Sequence, residues 1–219
     1  MHIQFWVDSW NAGGHKTSFH RQDVHPYVLK YLTPEVLRDK RVLVPLCGKS
    51  VDMIYFREHA AQVIGVELVE KAILEFFAEH QIPFTRRGAR FEADRLTIIC
   101  NNFFSLNRVD IGPIDWIYDR AALVALPLPL RQQYVCQVDK LLPVGGQQFV
   151  NTLEYFPRLE TPPFSIAPDE VAAYYCGNHS ICHLEQPTLP GHGMVRKFGL
   201  NFLKEHGFLL TKCSETAIS

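Results

Sequence analysis

Between residues 41 and 153, short apolar runs alternate with stretches of helical periodicity, and this alternation restricts the fold more than any other feature of the chain. Residues 41–45, 62–67, 96–100, 114–118 and 148–153 read as strands. Residues 50–59, 69–80 and 130–142 read as helices, and the second of these sets Ala72, Ile73, Phe76 and Phe77 on one face. Strands that alternate with helices specify βαβ units: a mostly parallel sheet, helices on both of its faces and right-handed crossovers. A helix over 26–32 precedes this region. After it, Ala167-Pro168-Asp169 signals the start of a helix over 170–175, and residues 208–212 read as a last strand, placed antiparallel at an edge. No repeat, low-complexity tract or linker divides the chain, so the expectation is one domain over residues 1–219.

In an open parallel sheet, ligands bind outside the carboxyl ends of the strands, so the turns there are where chemistry is sought. The first is Pro45-Leu-Cys-Gly-Lys-Ser50. Its Gly48-Lys49-Ser50 matches the second half of a phosphate-binding loop, but Leu43 stands where the first glycine belongs, and the nucleotide triphosphatase reading fails. A dinucleotide fingerprint needs three glycines and finds one. A nucleoside cofactor without phosphates needs less. Glu67 ends the second strand, nineteen residues after Gly48. A carboxylate there can accept both ribose hydroxyls while the single glycine lets the chain pass close by, a combination that suits S-adenosylmethionine better than NAD. The alternative is a solvated strand end beside an ordinary turn.

Other constellations carry two readings each. Asp119-Arg120 follows the fourth strand and is either a carboxylate-binding pair or a structural ion pair. Trp6 and Trp10 share one helical face, and either cap a sulfonium cofactor or pack on the core. Cys176, His179, Cys182 and His183 fall within eight residues, but structural zinc sites come as two separated pairs, and strand alternation sends Cys182 and His183 to opposite faces; no metal is expected. His20, His25 and Cys47 offer cysteine–histidine chemistry without a third orienting partner, and Cys47 reads as a free buried thiol. No G-x-S-x-G is present.

Composition narrows the class. The 22 basic and 23 acidic residues leave a net charge of -1 and no basic run, so a nucleic-acid binder is not expected. No run approaches the ~20 apolar residues of a membrane span, and the first residues lack a signal-peptide pattern. Six scattered cysteines suit a reducing compartment, so the expectation is a cytoplasmic protein, monomeric by default, acting on a small molecule.

Four segments then carry a family resemblance. They are Phe5-Trp6-x-x-x-Trp10 with Phe19-His20, Val44-Pro-Leu-Cys-Gly-Lys-Ser-Val-Asp52, Val63-Ile-Gly-Val-Glu67, and Ile117-Tyr-Asp-Arg-Ala-Ala-Leu-Val-Ala-Leu-Pro127. Pro162-Pro-Phe164, Gly199-Leu200 and Phe208-Leu-Leu210 extend it over nearly the whole length. The chain resembles the thiopurine S-methyltransferases, members of the class I S-adenosylmethionine-dependent methyltransferases. The resemblance implies a Rossmann-like α/β domain with a mostly parallel seven-stranded sheet over residues 39–219 and an N-terminal lid and helix over 1–38. It implies S-adenosylmethionine contacts at Trp10, Leu46, Glu67 and Arg120, with the adenine near Asn102 and Phe103. On the acceptor side it implies Phe19, Arg120 and an arginine before Gly199, where Arg196 stands. Bacterial relatives often carry G-D-x-F where this chain has Asn101-Asn-Phe-Phe104, and residues 11–18 are slightly longer than usual.

The expected activity is methyl transfer from S-adenosylmethionine to a thiol or thione sulfur of a small, heteroaromatic, thiopurine-like acceptor. Such a sulfur is largely ionised near neutral pH, so catalysis is by alignment and no general base is assigned. The alternatives are another soft nucleophile (an aliphatic thiol, a selenium or tellurium species, a halide) or a non-catalytic S-adenosylmethionine-binding protein.

Overall fold

The computed structural model describes residues 3–13 and 22–214, and the side chains from Trp6 onward within them. Phe19 and His20 lie outside the described residues. The chain falls into two compact units, Met1–Trp116 and Ile117–Ser219.

The first unit begins with three helices, α1 (Ile3–Ala12), α2 (Pro26–Tyr31) and α3 (Pro34–Leu37). The alternation follows: β1 (Arg41–Pro45), α4 (Asp52–His59), β2 (Gln62–Glu67), α5 (Glu70–Glu79), β3 (Thr85–Arg87), β4 (Arg90–Ala93) and β5 (Leu96–Cys100). A 3-10 turn (Phe103–Ser105) and α6 (Arg108–Ile111) close it. Strand order is β3-β4-β5-β2-β1. β1, β2 and β5 are parallel, with Val63 opposite both Val42 and Leu96. Their apolar runs are buried almost without interruption, the burial pattern of parallel strands covered on both faces. α5 lays its predicted face, Ala72, Ile73, Phe76 and Phe77, into the core.

The second unit holds β6 (Trp116–Asp119, its last three residues), α7 (Ala122–Ala125), α8 (Leu128–Leu141), β7 (Gln147–Phe156), α9 (Pro168–Tyr175), β8 (His179–Glu185), α10 (Gly193–Phe198) and β9 (Phe202–Lys212). The order is β6-β7-β9-β8.

Three expectations need correcting. The last strand is not at an edge: β9 pairs antiparallel with β7 along ten register positions and with β8 on its other side, leaving β8 outermost. The long partner also explains why β7 runs to Phe156 rather than stopping at 153. The strand expected over 114–118 starts two residues later, because the Asp115 carboxylate accepts the Arg41 N–H at 2.8 Å and turns that residue into a cap on β1. The described residues hold nine strands where the resemblance implies seven. Two of them are the β3–β4 ribbon, antiparallel to each other and added outside β5, whose short arginine-rich strands bury only Phe91.

Candidate functional site

Glu67 organises the first unit's carboxyl edge. It ends β2, and its side chain is buried with 7% exposure. Oε2 accepts the Gly48 N–H at 2.9 Å and Oε1 accepts the Val69 N–H at 2.9 Å. The carboxylate thus fastens the β1–α4 turn to the β2–α5 turn. Each oxygen has a second lone pair left for an incoming donor. Burial pushes the carboxyl pKa up, and the backbone N–H groups of Val69, Gly48 and Leu68 oppose that shift by favouring the ionised form.

The turn bends sharply at Leu46 and Gly48, with φ of 47° and 49°. Leu46 carries a side chain in the left-handed region, which is uncommon and concentrates at functional turns. Inside the turn, the Cys47 N–H donates to the Val66 carbonyl at 2.9 Å, and its thiol is buried against Gly65. A Cβ at residue 65 would come within 2.9 Å of Cys47 Sγ and 3.1 Å of Met53 Sδ, so only glycine lets this turn settle onto β2. Burial raises the Cys47 thiol pKa well above its usual value, which leaves it protonated and removes it as a nucleophile.

The tempting Gly48-Lys49-Ser50 is spent within the protein. The Gly48 N–H belongs to Glu67, and Lys49 Nζ pairs with Glu75 at 3.0 Å and with Glu79. Ser50 Oγ donates to Asp52 at 3.2 Å. His25 caps α2, its Nδ1 accepting the Tyr27 N–H at 3.2 Å while its backbone N–H donates to the Asp52 carboxylate.

Trp10 lies beside this turn. It packs with Val69, Ala72, Trp6, Val7 and Leu68, and Lys49 Nζ stands 5.9 Å over its ring. The tryptophan pair packs on the core, and the same packing sets Trp10 against Val69, the residue that Glu67 holds. On the other side, the Asn101 N–H donates to the Glu67 carbonyl at 3.0 Å. Asn102 caps the 3-10 turn, its Oδ1 accepting the Phe104 N–H at 3.1 Å, and Phe103 is buried. Trp10, Leu46, Glu67, Asn102 and Phe103 are thus linked through Glu67 and its neighbours. Sequence spacing finds the glycine and the glutamate; it does not find Val69 as the carboxylate's second partner or Glu75 and Glu79 as the sink for Lys49.

In the second unit Asp119 is fully buried at the end of β6. Its Oδ1 accepts the N–H groups of Ala122 at 2.9 Å and Leu123 at 3.2 Å, so it caps the start of α7. Burial raises its pKa to about 6, against the opposing bonds from Tyr134, Leu123 and Ala122. Arg120 follows, half-buried, just past the strand end. Arg196 lies exposed in the last turn of α10. Cys182 and His183 are both on β8, opposite Leu209 and Phe208. Among the described residues no group of three or more His, Cys, Asp or Glu side chains is placed to hold a metal ion.

The family model for thiopurine S-methyltransferase matches residues 1–213. A thiopurine S-methyltransferase of Pseudomonas syringae pv. tomato is 39% identical over 97% of this chain and 99% of its own length. One from Legionella pneumophila is 44% identical over 78% of this chain and 79% of its own. Among solved structures, a SAM-dependent methyltransferase from Anabaena variabilis matches with a TM-score of 0.66 over 97% of this chain and 96% of that one, at 13% identity. A Burkholderia thailandensis 1,6-didemethyltoxoflavin-N1-methyltransferase, solved with S-adenosylhomocysteine, matches with a TM-score of 0.55 over 84% and 78%, at 17% identity. The two structures establish the class I methyltransferase fold, and the family model with the sequence relatives establishes that this chain belongs to the thiopurine S-methyltransferase family.

Proposed function

We propose that this protein transfers the methyl group of S-adenosylmethionine to a thiol or thione sulfur on a small heteroaromatic acceptor. The observation that carries the reading is the Glu67 staple. A buried carboxylate at a strand end, with lone pairs remaining, suits the two hydroxyls of a ribose. A turn whose only lysine is already neutralised by Glu75 and Glu79 offers nothing to a phosphate. A nucleoside without phosphates fits those residues, and S-adenosylmethionine supplies such a nucleoside together with an already activated methyl group.

On this reading Leu46 and Gly48 bring backbone close to the nucleoside, and Glu67 orients the ribose. Asn102 keeps its amide N–H groups for the edge of the adenine, and Phe103 provides an apolar wall. Trp10 supports the staple from behind, and its ring suits the cation of a sulfonium. Arg120 is assigned to the cofactor carboxylate and to an anionic acceptor, Arg196 to the acceptor, and Phe19 to the acceptor pocket. Both units together make one methyltransferase domain, a reading supported by a family model that runs through them. The all-free cysteines and near-neutral charge support a cytoplasmic monomer working on small molecules rather than nucleic acid. No helix among the described residues is long and apolar enough to cross a membrane.

Alignment and exclusion of water supply the rate, because an ionised heteroaromatic sulfur needs no base. The test is transfer from labelled S-adenosylmethionine to 6-mercaptopurine, followed by product mass. An S-methylated product supports the reading. Cofactor binding without product on any soft nucleophile points to a binding protein, and neither binding nor product overturns it.

A further inference from the structure

The turn of the β3–β4 ribbon stands at the same edge of the sheet as Glu67. β2 and β5 are parallel, so their carboxyl ends, Glu67 and Cys100, are register partners at one edge. β4 is antiparallel to β5, with Arg90 opposite Ile99, and this brings the ribbon's turn, Gly88-Ala89, to that edge. The Cys100 N–H donates to the Ala89 carbonyl at 2.8 Å and fastens the turn there. Asn101 and Asn102 follow directly in the chain.

Arg86 reaches from this ribbon to α5. Its two terminal nitrogens donate to the two oxygens of Glu70, each at 2.8 Å, in a bidentate pair. Nε donates to the Gly88 carbonyl of its own turn at 3.2 Å, and the guanidinium lies 5.0 Å over the ring of Phe91, which is fully buried. The fork is thus oriented by its own ribbon when it meets the carboxylate. Glu70 is the first residue of α5 and follows Val69, whose N–H goes to Glu67.

Consecutive residues of this turn are each tied elsewhere. The Glu67 carboxylate accepts the Gly48 N–H, and its carbonyl accepts the Asn101 N–H. The Cys100 thiol donates to the Leu68 carbonyl at 3.7 Å. Val69 packs on Trp10, and Lys71 Nζ donates to the Trp10 carbonyl at 3.1 Å. Glu70 alone is held from the ribbon. All of these ties lie within the first unit. No side-chain cap at Val69 secures the start of α5, so the grip of Arg86 on Glu70 takes that place from outside the helix. The charges also share one neighbourhood. Burial raises the Cys100 thiol pKa, Glu70 and Glu67 raise it further, and Arg86 lowers it. Without the guanidinium, Glu70 becomes an unbalanced negative charge on the turn that Glu67 must keep in place.

We propose that Arg86 is a positioning residue for the cofactor: through Glu70 it holds the β2–α5 turn so that Glu67 meets the ribose hydroxyls, which makes the β3–β4 ribbon part of the nucleoside site. Arg86 acts through Glu70 and takes no part in the methyl transfer itself. The inference rests on the methyltransferase reading and extends its cofactor site to a ribbon that supplies none of the expected contacts.

Calorimetric binding of S-adenosylmethionine, initial rates with 6-mercaptopurine and thermal melts test it together. Arg86→Met should weaken cofactor binding roughly three- to tenfold and raise the cofactor KM by the same factor, while kcat and the acceptor KM stay within about twofold. Glu70→Gln should do the same. The paired reversal, Arg86→Glu with Glu70→Arg, should recover most of the affinity that either reversal alone loses. Arg87, 3.5 Å from Glu92, is the control. Arg87→Met removes the same charge from the same ribbon without touching Glu70, and should leave cofactor binding within about twofold. Cofactor affinity unchanged in both Arg86→Met and Glu70→Gln, with or without a lower melting temperature, would overturn the proposal and leave a structural tie alone. A loss in Arg87→Met as large as in Arg86→Met, or no recovery in the paired reversal, would overturn it too. Each of these leaves the methyltransferase reading intact. A wild-type protein that does not bind the cofactor would overturn that reading and the role of Arg86 with it.

Discussion

Two buried carboxylates end two strands of this protein, and they do different work. Glu67 uses both oxygens, one on Gly48 nineteen residues upstream and one on Val69 just ahead. Asp119 uses one oxygen on two neighbouring N–H groups of its own next turn. The first joins separate segments; the second finishes a local one. Burial raises the pKa of both carboxyls, and at Glu67 fixed donors from two separate turns oppose the rise. At Asp119 the donors are Tyr134, Leu123 and Ala122, and burial still raises its pKa to about 6.

The largest expected effect is at the staple. Glu67→Ala leaves two buried N–H groups without acceptors, at about 1–3 kcal/mol each. Urea midpoints should fall accordingly, and calorimetric binding of S-adenosylmethionine should weaken by well over tenfold. If stability falls while binding holds, Glu67 is a structural tie alone. Asp119 gives the next effect, visible through pH. Its folded pKa lies above the unfolded value, so its contribution is fully present below about pH 4 and is lost as pH rises through about 6. The shift corresponds to about 3 kcal/mol. Asp119→Asn should remove that slope between pH 4 and 7 in denaturant titrations; an unchanged slope would mean the carboxylate is solvated.

Gly65→Ala sharpens the contrast from behind the staple. The added methyl meets Cys47 Sγ and forces the turn outward, costing about 1–3 kcal/mol. A thermal melt equal to wild type would show that the turn yields freely. Lys49→Met should be the mildest change. Its ion pairs are partly solvent-exposed, and such pairs contribute about 0–1 kcal/mol. Cofactor affinity should move less than threefold in this variant, since a phosphate-free nucleoside makes no demand on the ammonium.

The parallel core was legible because β1, β2 and β5 are buried on both faces and so print unbroken apolar runs. Gly48 and Glu67 were legible through spacing, since a nucleoside turn needs a small residue and an acid at a fixed distance. The β3–β4 ribbon was not, because its two strands are short and Phe91 is the one residue in them that is buried. Nor was the hydrogen-bonded row of Glu154, His206 and His183, in which His206 lies 3.0 Å from the Glu154 carboxylate and 3.1 Å from the His183 ring; the register of β7, β9 and β8 brings its members together. His183 drew notice as a metal ligand beside Cys182, yet its partner came from a strand whose inner position local sequence does not encode.

That inner position has a consequence for how the protein comes into being. β7 and β8 are never neighbours; each has β9 as its partner, and β9 spans Phe202–Lys212. A ribosome delivers those residues after everything they hold together. Until they emerge, β8 has no strand to pair with and β7 has one open side. A nascent chain paused before residue 202 should therefore carry exposed strand edges, a target for chaperones and proteases, and completing the last strand closes both sides at once.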